Sequence, residues 1–404
     1  MYQKIIIQNA KTNPIKTGHP WVFSGALVKA NKNLKSGSIV YLYNENNQYL
    51  ATGFYNNTNS IAFRAISFNE ADIINEDFIY NKLHNLKEIK ENLLPQNTNS
   101  YRLTNSEGDY LPGVIIDIYD KLAVFQISVF GAEALRDFII NALKKLNFTT
   151  VVEKSDSNSR LKEGLQIKEP LVHFSTQEVS ESKDYQFIEN SMQLLVNPIE
   201  GQKTGFFLDQ RLARSFVKSI AKNKSVINLF SYTGAFSISA LLGGAAGVLS
   251  VDVSAKALEM LNKTLDLFYS DIKNKSKTLQ IDVFDFLNKN FSKDVWDSSI
   301  NGNILICDPP AFAKNSGSLK NATNAYIKLN AVCLEKLKTG DIFITSSCSG
   351  LLKMDDFIDI IKKSALLSGK KLSVLKEYKE DIDHTSILGF KEGNYLKTLI
   401  LRVL

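Results

Sequence analysis

The stretch SVINLFSYTGAFSISALLGGAAGVLSVDV, residues 225–253, decides how the rest of the chain is read. An apolar run (SVINLF), a turn around Gly234, a helix-length apolar segment (AFSISALLGG) and a second apolar run (GVLSVDV) follow one another directly. Short apolar runs joined through helices imply a parallel sheet covered on both faces, since each strand then buries both of its sides. The rhythm continues through KALEMLNKTLDLF, TLQID, ILICD, AYIKLNAVCLEKLK, DIFITSS and DDFIDIIKKSALL. The terminal YLKTLILRVL reads as one more strand, added antiparallel to the sheet edge. Doubly wound sheets bind ligands at the carboxyl ends of their strands, so the chemistry is expected just after each run.

After the first run, Ser231, Tyr232, Thr233 and Gly234 form a tight turn into a helix, which brings backbone close to a ligand at a helix N-terminus. The full GxGxxG pattern is absent. A single glycine makes a poor pyrophosphate cradle and favours a nucleoside-like cofactor without phosphates, so S-adenosylmethionine fits better than NAD. Asp252 ends the second run 18 residues past Gly234, near the spacing at which an acid bonds ribose hydroxyls. Asp282 ends the third, where it would meet an adenine amino group. The fourth run delivers Cys307, Asp308, Pro309 and Pro310. Paired prolines forbid both strand and helix continuation and fix where the Asp308 carboxylate points. The cofactor candidates at these ends are Asn228, Phe230, Tyr232, Thr233, Gly234, Asp252, Asp282, Val283, Asp308 and Pro309.

The fifth run ends in Ser346, Ser347, Cys348, Ser349 and Gly350. Cys307 lies inside an apolar run and Cys333 on the apolar face of a helix, where cysteine packs as a small hydrophobe. Cys348 instead leaves the sheet among hydroxyls. Carbon 5 of cytosine is too weak a nucleophile to take a methyl group unaided. A thiolate added at carbon 6 makes the ring enamine-like, which splits one hard step into two easier ones.

The chain has 404 residues, long enough for two to four domains, with 44% hydrophobic content. Three scattered cysteines without a CxxC pair argue against a disulfide framework and against a zinc site. No apolar run reaches membrane-spanning length and the start carries no signal-peptide core, so a soluble, cytoplasmic protein is expected. The net charge of +6 is carried entirely by residues 1–68, where Lys4, Lys11, Lys16, Lys29, Lys32, Lys35 and Arg64 face the single acid Glu45. This segment reads as short strands (SIVYLYN, QYLATGFYN, SIAFRAI) with interleaved aromatics, Trp21, Phe23, Tyr41, Tyr43, Phe54 and Tyr55. Such a module suits a phosphate backbone and stacked bases, and a plain lysine-rich surface explains the charge equally well. The helix-like DFIYNKLHNLKEIKENL follows, and residues 101–190 mix strands with an amphipathic helix near Ala132 to Leu146.

Taken together, GHPWVFSGAL (18–27), EGDYLPGVIID (107–117), NPIEGQKTGFFLDQR (197–211), VINLFSYTGAFS (226–237), LICDPPAFAK (305–314), SSCSG (346–350) and GFKEGNYLK (389–397) span nearly the whole chain. The chain thereby resembles the bacterial large-subunit ribosomal RNA cytosine-5 methyltransferases that carry an N-terminal PUA domain. The resemblance implies an α/β protein: a small β-barrel PUA RNA-binding domain over 1–68, an α+β middle domain over 69–190 and a Rossmann-like class I methyltransferase domain over 191–404. It implies S-adenosyl-L-methionine as cofactor, 23S ribosomal RNA as partner, and a homodimer. Carried over residue by residue, Cys348 is the nucleophile and Asp308 the acid that orients the cytosine edge. Phe207, Asp209, Gln210 and Arg211 lie in a loop beside the cofactor. Lys16, His19, Trp21, Lys29, Lys32, Lys35 and Arg64 form the RNA-holding surface.

Two positions depart from the family pattern. Ala311 stands after the proline pair where many related enzymes have a second cysteine, so the base that removes the carbon 5 proton is unidentified. Thr385 follows His384 where relatives carry proline, which weakens any role for that histidine. An RNA methyltransferase acting on another base position, and a non-catalytic RNA-binding assembly factor, stand as alternatives. The single-glycine turn argues against a dinucleotide oxidoreductase.

Overall fold

The computed structural model describes residues 2–28, 34–176, 183–290, 302–312 and 316–404. Contacts divide the chain into two compact units. The first comprises Met1–Ser191, Val196–Leu208 and Ile382–Gly393; the second comprises Met192–Leu195, Asp209–Asp381 and Asn394–Leu404.

In the first unit, the described residues place Gln3–Ile7, Trp21–Phe23, Leu27–Val28, Ile39–Asn44, Tyr49–Tyr55 and Ile61–Ser67 in one six-stranded sheet. Alternation along these strands sends Ile5, Ile7, Val40, Leu42, Ala51, Phe63 and Ala65 into a common core. Tyr55 joins that core, and Phe54 packs with Ile66 into a second one built with Leu103, Ile116 and Leu135 of the following segment. Residues 1–68 and 69–190 therefore share apolar packing, which is why they form one unit. These two aromatics are core residues and offer no stacking face.

The helix Glu76–Leu93 starts where the Asn75 side chain accepts the Phe78 N–H at 2.9 Å. It buries Ile79 and Leu83, four residues apart on one face. Beyond it, Ser100–Asn105, Val114–Tyr119, Leu122–Ile127, Thr150–Glu153 and Leu171–Ser175 form a five-stranded sheet. At the end of Thr150–Glu153, Glu153 collects Arg136 at 2.9 Å, His173 at 3.0 Å and Ser155 at 2.8 Å. Burial by itself would raise this carboxyl, but the bonds from His173, Arg136 and Ser155 outweigh it and hold it down at about 2. A depressed carboxyl stabilises the fold above its unfolded value near 4.5, and the contribution is lost as pH falls through about 2. Glu153→Gln should therefore cost about 3 kcal/mol at neutral pH. It should also flatten the acid limb of the stability curve between those two pH values, as measured by urea unfolding at a series of pH values.

In the second unit, β1 (Ser225–Leu229), β2 (Gly247–Asp252), β3 (Ser276–Gln280), β4 (Ile304–Cys307), β5 (Ile342–Ser347), β6 (Leu372–Tyr378) and β7 (Lys397–Val403) form one sheet in the order β3-β2-β1-β4-β5-β7-β6. The first five run parallel, and β7 is antiparallel to both β5 and β6. Strands β1, β4 and β5 are buried at every residue, as expected for a sheet covered on both faces. Covering helices include α1 (Arg211–Ile220), α2 (Ala235–Leu242), α3 (Ala255–Phe268), α4 (Leu319–Glu335) and α5 (Met354–Leu367).

Two sequence expectations change here. The terminal strand does not sit at the edge; it inserts between β5 and β6, and β6 becomes the edge. The third strand stops at Gln280, short of Asp282. Among the described residues, no helix is long and apolar enough to cross a membrane.

Candidate functional site

The strands of the second unit bring most of the candidate residues to one edge of the sheet. Past β1 the backbone passes through Phe230, Tyr232 and Gly234 with φ of 56°, 48° and 74°. Left-handed backbone at an aromatic residue costs about 1–3 kcal/mol and persists only where its surroundings enforce it. Here Ser231 N–H donates to the Val251 carbonyl at 3.1 Å and Tyr232 N–H to Asp252 Oδ2 at 2.8 Å. Gly234 is required for two reasons: its φ, and the 2.5 Å at which a Cβ would meet Leu261 Cδ1 on α3.

Asp252 closes the turn from the neighbouring strand, its other oxygen accepting Ser254 N–H at 2.8 Å. Asn228 Nδ2 donates to Ser237 Oγ at 2.9 Å, which fixes β1 to α2. Three buried atoms around this turn, Asn228 Oδ1, Ser231 Oγ and Thr233 Oγ1, have no hydrogen-bond partner among the described residues. Buried polar atoms are normally paired, which makes these three candidates to meet a ligand.

Asp282 requires a correction. It is exposed and caps the short helix Val283–Asp285, its Oδ1 accepting the N–H of Phe284 at 2.8 Å and of Asp285 at 3.2 Å. Helix capping engages Oδ1 of this exposed carboxylate. Val283 is 1% exposed and packs into the core with Phe286 and Leu287, so its side chain is a packing group.

Asp308 and Cys348 leave adjacent parallel strands, with Cys307 of β4 opposite Thr345 of β5. Asp308 Oδ2 accepts Gln210 Nε2 at 2.7 Å. The Gln210 carbonyl accepts the Thr398 hydroxyl at 3.3 Å, and Thr398 shares a 2.9 Å bond with Ser346. A single amide thus links the acid after β4 to β7 and, through Thr398, to the end of β5. Pro309 is buried and Pro310 exposed, a stiff wall beside Asp308.

The residues flanking Gln210 are held by contacts of their own. Asp209 Oδ2 accepts the Tyr395 hydroxyl at 2.7 Å, and Arg211, fully buried, donates to Asp381 at 2.6 Å. Phe207 belongs to the segment Val196–Leu208 of the first unit, with Lys203 Nζ 4.7 Å from its ring.

Of the three cysteines, Cys307 and Cys333 are completely buried, whereas Cys348 is half-buried. Burial, with Cys333 beside it, pushes the Cys307 thiol well up, which keeps it inert. The phenol of Tyr326 lies within electrostatic reach of both Cys348 and Asp308 and accepts the Ser347 hydroxyl at 3.1 Å. Burial first, and then the neighbouring Cys348 and Asp308, push this phenol up to about 12. Tyr326 is thus a neutral wall residue, its ring tilted at 47° to that of Phe312 with centroids 4.6 Å apart.

Sequence reading missed Tyr326, Tyr395, Lys397 and Thr398. For the last two the signal was a lysine and a threonine opening a mostly apolar strand, KTLILRV.

In the first unit, Lys16 and Lys35 are exposed, and Lys29 and Lys32 lie outside the described residues. Arg64 is corrected: it is 7% exposed, with Nη2 on Glu163 at 2.6 Å and Nε 3.5 Å from Glu107. A buried guanidinium needs paired acids, and these two neutralise it, so it holds the fold and not a phosphate. Trp21, half-buried, donates its indole N–H to the same Glu107 at 2.9 Å and meets Phe390 edge-to-face at 4.9 Å. His19 Nδ1 accepts Trp21 N–H at 3.2 Å, a turn role. His384 is buried, bonded to Asp383 at 2.9 Å, and belongs to the first unit.

Comparison with known proteins adds the following. Residues 5–68 match the PUA-like domain family and residues 170–354 the S-adenosylmethionine-dependent methyltransferase family. The ribosomal RNA large subunit methyltransferase I of Alteromonas mediterranea is 33% identical over all of this chain and 99% of its own length. That of Escherichia coli O139:H28 is 32% identical over the whole of both chains. A solved structure from Streptococcus mutans, assigned as a SAM-dependent methyltransferase, superposes with a TM-score of 0.80 at 26% identity over 99% of this chain and 100% of its own. A solved methyltransferase complexed with SAH matches with the same score, identity and coverage.

Proposed function

The chain belongs to the ribosomal RNA large subunit methyltransferase I family, whose members depend on S-adenosylmethionine, and from that membership we propose that it methylates carbon 5 of a cytosine in 23S ribosomal RNA through a covalent Cys348 adduct. The observation that carries the reading is the delivery of one accessible thiol and one carboxylate from neighbouring strands, with the other two thiols sealed in the core.

S-adenosylmethionine, when bound, supplies an activated methyl group on a sulfonium. Ser231, Thr233 and the backbone from Phe230 to Gly234 are the residues to hold it, with Asp252 on the ribose. The unpaired hydroxyls suit a ligand with polar groups. Asp308, oriented by Gln210, accepts from the exocyclic amine of the cytosine, and the wall of Pro309 and Pro310 fixes the ring plane. The Cys348 thiolate adds to carbon 6, so a C–S bond forms and the ring electrons move toward carbon 5. Carbon 5 then takes the methyl group, a base removes the carbon 5 proton, and the returning electron pair expels the thiolate.

Such a target base must leave its stack to reach the sheet edge. The exposed Lys16 and Lys35 of the PUA-like segment supply phosphate contacts in this reading.

The test is nucleoside mass spectrometry of large-subunit RNA, free and in particles, after incubation with the protein and S-adenosylmethionine. A new 5-methylcytidine is expected. A methylated guanosine or adenosine would overturn the position, and the absence of any new methylated nucleoside would favour the assembly-factor alternative.

A further inference from the structure

Lys397 opens β7 directly opposite Ser347 of β5, one residue before Cys348. It is 3% exposed, in a position where an apolar side chain would be expected. Its ammonium has three donors, and all three are used on backbone carbonyls: Ser349 at 2.5 Å, Leu352 at 2.8 Å and Tyr395 at 2.6 Å. Two of those carbonyls belong to the turn that follows Cys348. Within the turn Leu352 N–H donates to the Ser349 carbonyl at 3.2 Å, and Lys397 ties the Ser349 and Leu352 carbonyls to β7, which constrains the direction in which the thiol leaves the sheet.

We propose that Lys397 is the positioning residue for Cys348: it fastens the turn after the thiol and keeps a positive charge beside it that favours the thiolate. This rests on the reading of Cys348 as nucleophile given above. Burial pushes the Lys397 ammonium down to about 8, and Glu380, Cys348 and Asp356 oppose that fall. The thiolate and the ammonium therefore support each other's charged forms, as coupled sites do.

Among the described residues, Glu380, Asp356, Asp308 and Tyr326 are the other charged or titratable groups that bear on the pair. Glu380 accepts the N–H of Leu396 at 2.6 Å, Asp356 the N–H of Lys353 at 2.9 Å, and Asp308 the Gln210 amide. Tyr326 is held neutral well above physiological pH. Lys397 is thus the cation that this cluster places in reach of the thiol. Its role differs from that of a general base, since all three of its donors are engaged on carbonyls.

The experiment is the rate of iodoacetamide alkylation of Cys348 in the full-length protein as a function of pH, read by peptide mass spectrometry. Cys307 and Cys333 are buried and serve as internal controls for unfolding. Lys397→Met should move the midpoint of Cys348 alkylation up by about one pH unit, and should slow alkylation near pH 7 about tenfold. Lys397→Arg, which keeps the charge, should return the midpoint toward that of the unaltered protein. In the unaltered protein the profile should carry a second inflection near pH 8, where Lys397 loses its proton, and Lys397→Met should lack it.

An unshifted midpoint in a folded Lys397→Met variant would overturn the proposal and leave the lysine a purely structural tie. If that variant exposes Cys307 and Cys333, the unaltered protein decides alone, and a single inflection counts against the proposal. This assay contains no RNA, so its outcome is independent of whether methyl transfer proceeds through Cys348.

Discussion

Replacement of Cys348 by alanine should reduce methyl transfer at least about a thousandfold while leaving S-adenosylmethionine affinity unchanged. The size follows from chemistry: without the thiolate, carbon 5 must attack as an ordinary aromatic carbon, and among the described residues no other side chain near β4 and β5 substitutes for it. Cys307 is one strand away but completely buried with its thiol pushed well up, and Tyr326 is held neutral. The retained affinity follows from separation, since the cofactor cradle is built after β1 and β2 and the thiol after β5. Isothermal titration for the cofactor and radiolabelled methyl incorporation for the product check both halves. A Cys348→Ala protein that turns over normally would end the covalent account, and one that loses cofactor binding would show that the two sites are not separable.

Gly234→Val should abolish measurable cofactor binding, a loss of at least about a hundredfold, and destabilise the protein by about 3 kcal/mol. Two penalties act together. A β-branched residue is a genuine outlier at a φ of +74°. Its Cβ would also stand 2.5 Å and 2.6 Å from the two Leu261 methyls, forcing α3 away from the turn. Gly369→Val supplies the control, because Gly369 has a φ of +67° with nothing within 4 Å of its Cβ position. It should cost stability through backbone strain alone and leave cofactor affinity intact. Equal affinity losses in both variants, measured by titration alongside thermal melting, would mean that the effect reports fold stability and not the cradle.

What the residues alone disclosed, and what they hid, divides along physical lines. Short-range signals were readable. Apolar runs gave β1 to β5, Gly234 marked the turn, and Asp252 ended its strand as expected, because each depends on neighbours in the chain. Pairings between distant segments were not readable. Arg64 looked like a surface cation in a basic segment, yet it meets Glu163, which lies 99 residues later in the chain. The position of β7 was misplaced for a similar reason. Its apolar face is the same whether it sits at an edge or between two strands, and β6 (LSVLKEY) is too exposed to announce itself by alternation. Asp282 illustrates a third limit: a carboxylate that caps a helix and one that meets a ligand look alike in sequence. Lys397 escaped notice because its partners are carbonyls, which no side-chain pattern encodes.

The thiol's attack on the pyrimidine is the claim on which the reading depends, and it can be trapped. RNA carrying 5-fluorocytosine in place of cytosine has no carbon 5 proton to lose, so the adduct formed after methyl transfer cannot be released. Intact-protein and peptide mass spectrometry after incubation with such RNA and S-adenosylmethionine should find a methylated fluoropyrimidine bound to the peptide containing Cys348. Absence of an adduct with RNA that the protein methylates when unfluorinated, or an adduct at any other residue, would contradict the account.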